Sequence, residues 1–270
     1  MYSLSKAKDY WEKRIKESAK LSAVLYFSEN EMINLYYDLW EKTVIRQELG
    51  EVKEKFFLDI PIGIGRWTNE LLRLGAMVDG VDISMDIINK AKKSIDEKLL
   101  SHVSFYVAAA SEIGTMETKY DCILCTGLFE HLPKEIYLRC IDDFYKILKK
   151  GGQLILVINN KDSVLIKEAK DNIYRVSEQY ENGYYCGLTD INEVQFELKK
   201  IGFQISHYAT NPAFSLARQI LRDDQSNSNA KTILEKAVQI DTDFFSCLDT
   251  YQNNLSDQII IYGRKEENEL

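Results

Sequence analysis

The chain has no dense cluster of lysine or arginine and carries a formal charge of −8, which argues against a broad electrostatic grip on nucleic acid or an anionic membrane. No stretch approaches the roughly 20 apolar residues of a membrane span, and the opening MYSLSKAKDYWEKR has no apolar run of signal-peptide type. A cytoplasmic protein is the expectation. Internal repeats and linkers rich in proline and glycine are also missing, so 270 residues with 45% apolar content read as one sizeable domain with added segments. Five cysteines, an odd number, fit reduced buried thiols better than a disulfide framework. Cys122 and Cys125 spell C-x-x-C, but they lie in the strand-like DCILC, where alternation sends them to opposite faces. No second cysteine pair or nearby histidine pair completes a metal site.

What is present is a change of rhythm near residue 50. Residues 1 to 50 read as helical, with Tyr10, Trp11, Ile15, Leu21 and Leu25 spaced loosely at three and four. Ser28 followed by Glu31 forms a capping-box signature for an amphipathic helix carrying Met32, Leu35, Tyr36, Leu39 and Trp40. That aromatic stripe reads as core packing, with Tyr36 or Tyr37 closing over a ligand as the other reading. From residue 55, β-type runs alternate with helical ones, the signature of a parallel sheet covered on both faces. Strands are expected at 55–60, 77–82, 103–108, 120–125 and 153–159, with helices at about 67–74, 85–98 and 134–149. Ser84 is the expected N-cap of the second helix, and the run from Lys149 to Gly152 reads as a helix end and turn. A helix at 190–200, begun by Asp190, leads through Gly202 to a sixth strand, FQISHYA, and QIIIYGRK supplies a seventh. Residues 210 to 255 form an inserted helical element, with DDQSNSN, 223–229, as its flexible point.

The most informative segment is LDIPIGIGRW, residues 58 to 67. A strand that ends in a carboxylate and turns through glycines into a helix makes a cradle, because Gly63 and Gly65 let a ligand approach the backbone and helix N-terminal amides attract negative charge. Asp82 closes the second strand about 20 residues on, where an acid can accept both hydroxyl protons of a ribose. A nucleotide-binding unit of the NAD type needs G-x-G-x-x-G, and Thr68 stands at the third position.

Here the chain resembles the class I S-adenosylmethionine-dependent methyltransferases. Asp59 through Gly65 is similar to their first motif, Asp82 in GVDIS to their ribose-binding acid, CTGLFEHLP to their segment after strand four and LKKGGQLILV to their fifth-strand entry. The resemblance covers about residues 55 to 160. It implies a doubly wound, seven-stranded, mostly parallel Rossmann-like sheet and leaves the N-terminal helices and the insertion unexplained; the expected division is a helical lid of residues 1 to 50 and a domain of residues 51 to 270. It also implies the cofactor S-adenosylmethionine and the product S-adenosylhomocysteine. Asp59 and Gly63 then face the methionine moiety, Asp82 the ribose, Ile83 the adenine, and Thr126 or Leu128 the sulfonium, with Gly65 a further cofactor-binding residue of the turn. Arg66 either reaches the methionine carboxylate or is a solvated first-turn residue.

Pro61 stands where the family usually has its first glycine, so the turn must differ locally. Ala109 replaces the acid that often binds the adenine amino group, which leaves Ala110, Ser111, Glu112 or backbone groups for that edge. Among three histidines, His131 is the candidate general base, at the carboxyl ends of the strands. Some quinone-pathway relatives hold a divalent metal with Glu-x-x-Glu-His; Gly127 replaces the first Glu, so no metal dependence is expected. The Asn/Asp-Pro-Pro-aromatic motif of enzymes that methylate nucleic-acid bases is absent. The leading expectation is transfer to an O or N atom of a small-molecule acceptor, with the N-terminal helices and the 210–255 insertion as a substrate lid. A protein or peptide methyltransferase, suggested by GIGRWT, and an inactive cofactor-binding regulator are the alternatives.

Overall fold

The computed structural model describes residues 2–18, 20–25, 30–165, 178–181, 184–187, 189–223, 226–250 and 255–267. Helices α1 (Leu4–Glu17) and α2 (Glu31–Leu49) come first. They are followed by β1 (Phe56–Ile60), α3 (Arg66–Arg73), β2 (Met77–Asp82), α4 (Met85–Ser94), β3 (Val103–Val107), β4 (Tyr120–Thr126), α5 (Lys134–Ile147) and β5 (Leu148–Asn159). A ribbon of β6 (Glu178–Glu181) and β7 (Tyr184–Gly187) precedes α6 (Ile191–Ile201), β8 (Phe203–Thr210), α7 (Pro212–Asp223), α8 (Ala230–Phe244) and β9 (Gln258–Lys265).

The main sheet has seven strands in the order β3-β2-β1-β4-β5-β9-β8, and β9 alone runs against its neighbours. This is the doubly wound, mostly parallel sheet expected. Its central strands are largely apolar because helices cover both faces. One face packs on α2, α3, α7 and α8 around Phe57, Trp40, Trp67, Phe214 and Leu234. The other packs on α5 and α6 around Ile123, Tyr120, Phe144 and Leu198. Cys122 joins the first cluster and Cys125 the second, as alternation requires. The order reverses between β1 and β4, and that reversal opens a crevice at the carboxyl ends of the strands.

Local signals set several ends as expected. The Ser84 hydroxyl accepts from the Asp86 amide, the Asp190 carboxylate accepts from Asn192 and Glu193, and Gly202 closes α6 at φ +109°. Others differ. The N-cap of α2 is Asn30, whose side chain accepts from Met32 N, while Ser28 lies outside the described residues. α5 stops at Ile147 and α4 at Ser94, each a turn or less before the expected end. β5 starts at Leu148 because Leu148 already pairs with Tyr120, and the expected turn survives as a register break with Gly151 at φ +71°. The β6–β7 ribbon had no readable pattern: its strands are four residues each, too short for alternation to register.

Residue 50 does not separate lid from core. Trp40, Val44 and Ile45 of α2 are fully buried, and the Tyr36 hydroxyl donates to Glu235 of α8 at 2.9 Å. The 210–255 segment is likewise a structural layer, since α7 and α8 complete the core with α2. Of the flexible point expected at 223–229, residues 224 and 225 lie outside the described residues. No helix among the described residues is long and apolar enough to cross a membrane.

Candidate active site

The turn after β1 is built from within. Ile60–Pro61 is cis; Ile62 N then donates to Val81 O at 2.8 Å, folding the turn onto β2. Gly80 leaves room for the Ile62 side chain at that crossing, which would have to shift to admit a Cβ. Gly63 (φ +53°) and Gly65 (φ +80°) take left-handed conformations that other residues adopt at a cost, and Gly65 starts α3.

Both acids reach the same crevice. Asp59 is 1% exposed and accepts from the Thr68 hydroxyl at 2.6 Å. Asp82 accepts from Gly63 N at 3.1 Å and from Ile83 N at 2.8 Å, so the ribose-type acid and the glycine turn share one hydrogen-bonded unit. Burial outweighs these donors and pushes each carboxyl up to about 7. Such groups gain from a ligand that brings further donors.

Arg66 is buried and paired, which corrects the expectation of a solvated first-turn residue. Its guanidinium donates to Asp38 at 2.8 Å and to Glu41 at 2.6 Å, and its side chain is 8% exposed. Burial opposes its charge, but Glu41 and Asp38 outweigh burial and hold its pKa above the ordinary value. Glu41 also accepts from Trp67 Nε1 at 2.6 Å and from the Tyr37 hydroxyl at 2.7 Å. These bonds fasten α2 onto the glycine turn. Sequence reasoning missed Asp38, Glu41 and Thr68, whose partners lie on other elements.

The crevice widens into a cavity of about 820 Å³. Among the expected site residues, Asp59, Gly63, Arg66, Asp82, Ile83, Ala110, Ser111, Thr126, Leu128 and His131 all line it. Gly65 does not; it lies one residue behind, with Ser94 and Ala91 against it. After β3, Glu112 turns back to accept from Ala109 N at 2.8 Å, which leaves Ala110 and Ser111 on the wall. α1 closes the cavity from above: Trp11 packs edge-on against His131, ring centroids 4.9 Å apart, and Arg14 sits 4.9 Å from the Trp11 ring. α1 is held to the α4 end of the sheet by Lys90, which donates to Ile15 O and Ser18 O, and by a Lys16–Asp86 ion pair at 3.1 Å.

The far wall was not legible in the sequence. Arg218 of α7 pairs with Asp257, which also accepts from Ser163 at 2.9 Å, and Gln258 donates to Asn159. Glu130 is buried beside His131. Of the other histidines, His102 ends a short helical turn and His207 stacks on Tyr262 at 4.3 Å. No group of three or more metal-ligating side chains occurs among the described residues.

Residues 57–152 match a family model described as a methyltransferase domain. The chain is 32% identical over 112 residues to a ubiquinone biosynthesis O-methyltransferase of Coxiella burnetii, covering 41% of this chain and 46% of that protein. A mitochondrial ubiquinone biosynthesis O-methyltransferase of Mus musculus is 32% identical over 108 residues, 38% of this chain and 28% of that one. The chain therefore matches half or less of the length of these curated relatives. Magnesium protoporphyrin IX methyltransferase (ChlM) from Synechocystis, solved with bound SAH, superimposes with a TM-score of 0.61 at 14% identity, over 97% of this chain and 99% of that one. The N-methyltransferase NodS from Bradyrhizobium japonicum, also with S-adenosyl-L-homocysteine, gives 0.61 at 13% identity, over 96% and 98%. Identities this low speak for the fold, and the matched domain spans the glycine turn, Asp82 and the segment after β4. Residues 57–152 thus match a methyltransferase domain, and the fold is the Rossmann-like one of S-adenosylmethionine-dependent methyltransferases solved with cofactor or product bound.

Proposed function

We propose that this protein moves a methyl group from S-adenosylmethionine to an O or N atom of a small-molecule acceptor held beneath α1. The observation that carries this reading is the unit formed by Asp82, Gly63 and Ile83 at the mouth of a single large cavity. A buried carboxylate there, already anchored by two backbone amides, keeps lone pairs for the hydroxyls of a ribose. A volume of about 820 Å³ suits a nucleoside cofactor together with a small second molecule.

On this reading Asp82 holds the ribose, Ile83, Ala110 and Ser111 the adenine, and Asp59 and Gly63 the methionine moiety. Thr126 and Leu128 stand beside the sulfonium. Bound S-adenosylmethionine supplies an electrophilic methyl group and leaves as S-adenosylhomocysteine. The protein's work is alignment of the two molecules, which by itself supplies several kcal/mol of rate enhancement. α1 excludes water, and His131, on the wall beneath Trp11, takes the acceptor's proton. The buried thiols of Cys122, Cys125 and Cys140 accord with a reducing, cytoplasmic setting.

Titration calorimetry with S-adenosylmethionine, S-adenosylhomocysteine and NAD tests the reading. Micromolar binding of the first two, tighter for the product, and none of NAD is expected. Binding of NAD without the other two would overturn it.

A further inference from the structure

The segment after β4 carries a charged group that proton removal by His131 leaves unused. Glu130 is 5% exposed, lines the cavity, and has no hydrogen-bond partner for its Oε2 among the described residues. Its Oε1 turns back toward Gly127, 3.8 Å from where a Cβ on that residue would stand. The other buried acids of the cavity are satisfied: Asp59 by Thr68, Asp82 by two amides, Glu41 by Arg66 and Trp67, Asp257 by Arg218 and Ser163. Burial and the charge of Glu41 push the Glu130 carboxyl up to about 7. A buried carboxylate without a counter-charge is costly, and a neutral donor would satisfy its oxygen but not its charge. A cation arriving in the cavity satisfies both.

We propose that Glu130 is the counter-charge for the cofactor's sulfonium, and that it sets the preference of this site between the charged cofactor and its neutral product. The inference rests on the cofactor reading above, which places Thr126 and Leu128, of the same short segment, beside the sulfonium. Transfer forms a bond from the acceptor atom to the methyl carbon and breaks the bond from that carbon to sulfur, whose electron pair stays on sulfur. The positive charge leaves the sulfur, and Glu130 loses its partner. The product is then held by the cradle alone, so Glu130 narrows the margin by which the product out-binds the cofactor.

Calorimetry at pH 8 with three ligands tests this: S-adenosylmethionine, S-adenosylhomocysteine, and sinefungin, in which an ammonium-bearing carbon replaces the methylated sulfur. Glu130→Gln is expected to weaken the two cationic ligands about tenfold or more while leaving the neutral product within about twofold. Retained product binding doubles as the check on folding. Glu130→Met, which removes the buried charge altogether, provides the same comparison if the amide variant does not fold. Equal losses for all three ligands, or no loss for any, would overturn the inference while the cofactor reading stands. Failure of the wild type to bind any of the three sinks both.

Discussion

The two walls of the cavity are built on opposite principles. On the β1–β2 side, Asp59, Gly63, Thr68, Asp82 and Ile83 bond to one another across at most 19 residues of chain, and burial leaves their carboxyls poised near neutrality. Behind it and on the far wall, Glu41 with Arg66 and Arg218 with Asp257 form closed ion pairs across 25 and 39 residues. The cradle keeps hydrogen-bonding capacity in reserve for a ligand, and the surrounding shell has used its own on the fold. A charged residue near this cavity is therefore a binding group or a fastening according to whether its partner is already present.

The contrast predicts opposite signatures on mutation. Glu41→Ala removes the acceptor for Arg66, Trp67 and Tyr37 together, and should cost about 3–5 kcal/mol of stability by chemical denaturation, as breaking a buried pair does. Stability within about 1 kcal/mol of wild type would show that α2 is not fastened through Arg66. His131→Ala leaves the fold intact and should lower turnover about 100-fold once a productive acceptor is in hand. Wild-type turnover would remove His131 as the base.

Asp82→Ala should weaken binding of S-adenosylhomocysteine by about 1.5–3 kcal/mol without loss of thermal stability, because its buried charge costs the folded state what the ligand later recovers. Unchanged affinity sinks the ribose assignment. If the variant instead unfolds as Glu41→Ala does, the distinction between the two walls collapses.

The smallest effect is in pH. Asp59, Asp82 and Glu130 are each raised to about 7 from an unfolded value near 4, chiefly by burial, so the folded protein without cofactor binds more protons than the unfolded chain between those values. Their contribution to stability is complete below about pH 4 and is lost as pH rises through about 7. Asp241, also raised to about 7 by burial, adds to the same trend. Affinity for S-adenosylhomocysteine should move the other way, tightening severalfold from about pH 6 to 8 as Asp82 and Asp59 ionise. Calorimetry in buffers of different ionisation enthalpy reads this as proton release on binding; affinity flat across the range would mean that the carboxylates are already charged.

The cradle was legible because its parts are consecutive. Asp59, the glycines and Asp82 announce themselves by spacing, and Ser84 and Asp190 cap their helices with their own side chains, which are interactions that reach only a few residues. The solvated reading of Arg66 failed for the complementary reason. Its position in the first turn of α3 is evident from sequence, but whether it meets solvent, a ligand or Asp38 depends on where α2 lands. Glu130 stood in plain view beside His131, yet nothing in FEHLP signals that one oxygen of its carboxylate is buried without a partner.

The sequence by itself determined the strands of the main sheet and the helices between them, the glycine turn and the pair of acids at its mouth, because period, capping and turn chemistry act over short stretches of chain. The tertiary structure decided which charges are paired and which remain open, that α2, α7 and α8 form one layer, and that α1 roofs the cavity. Pairing and desolvation depend on which distant segments come into contact, and those contacts exist only once the chain has folded.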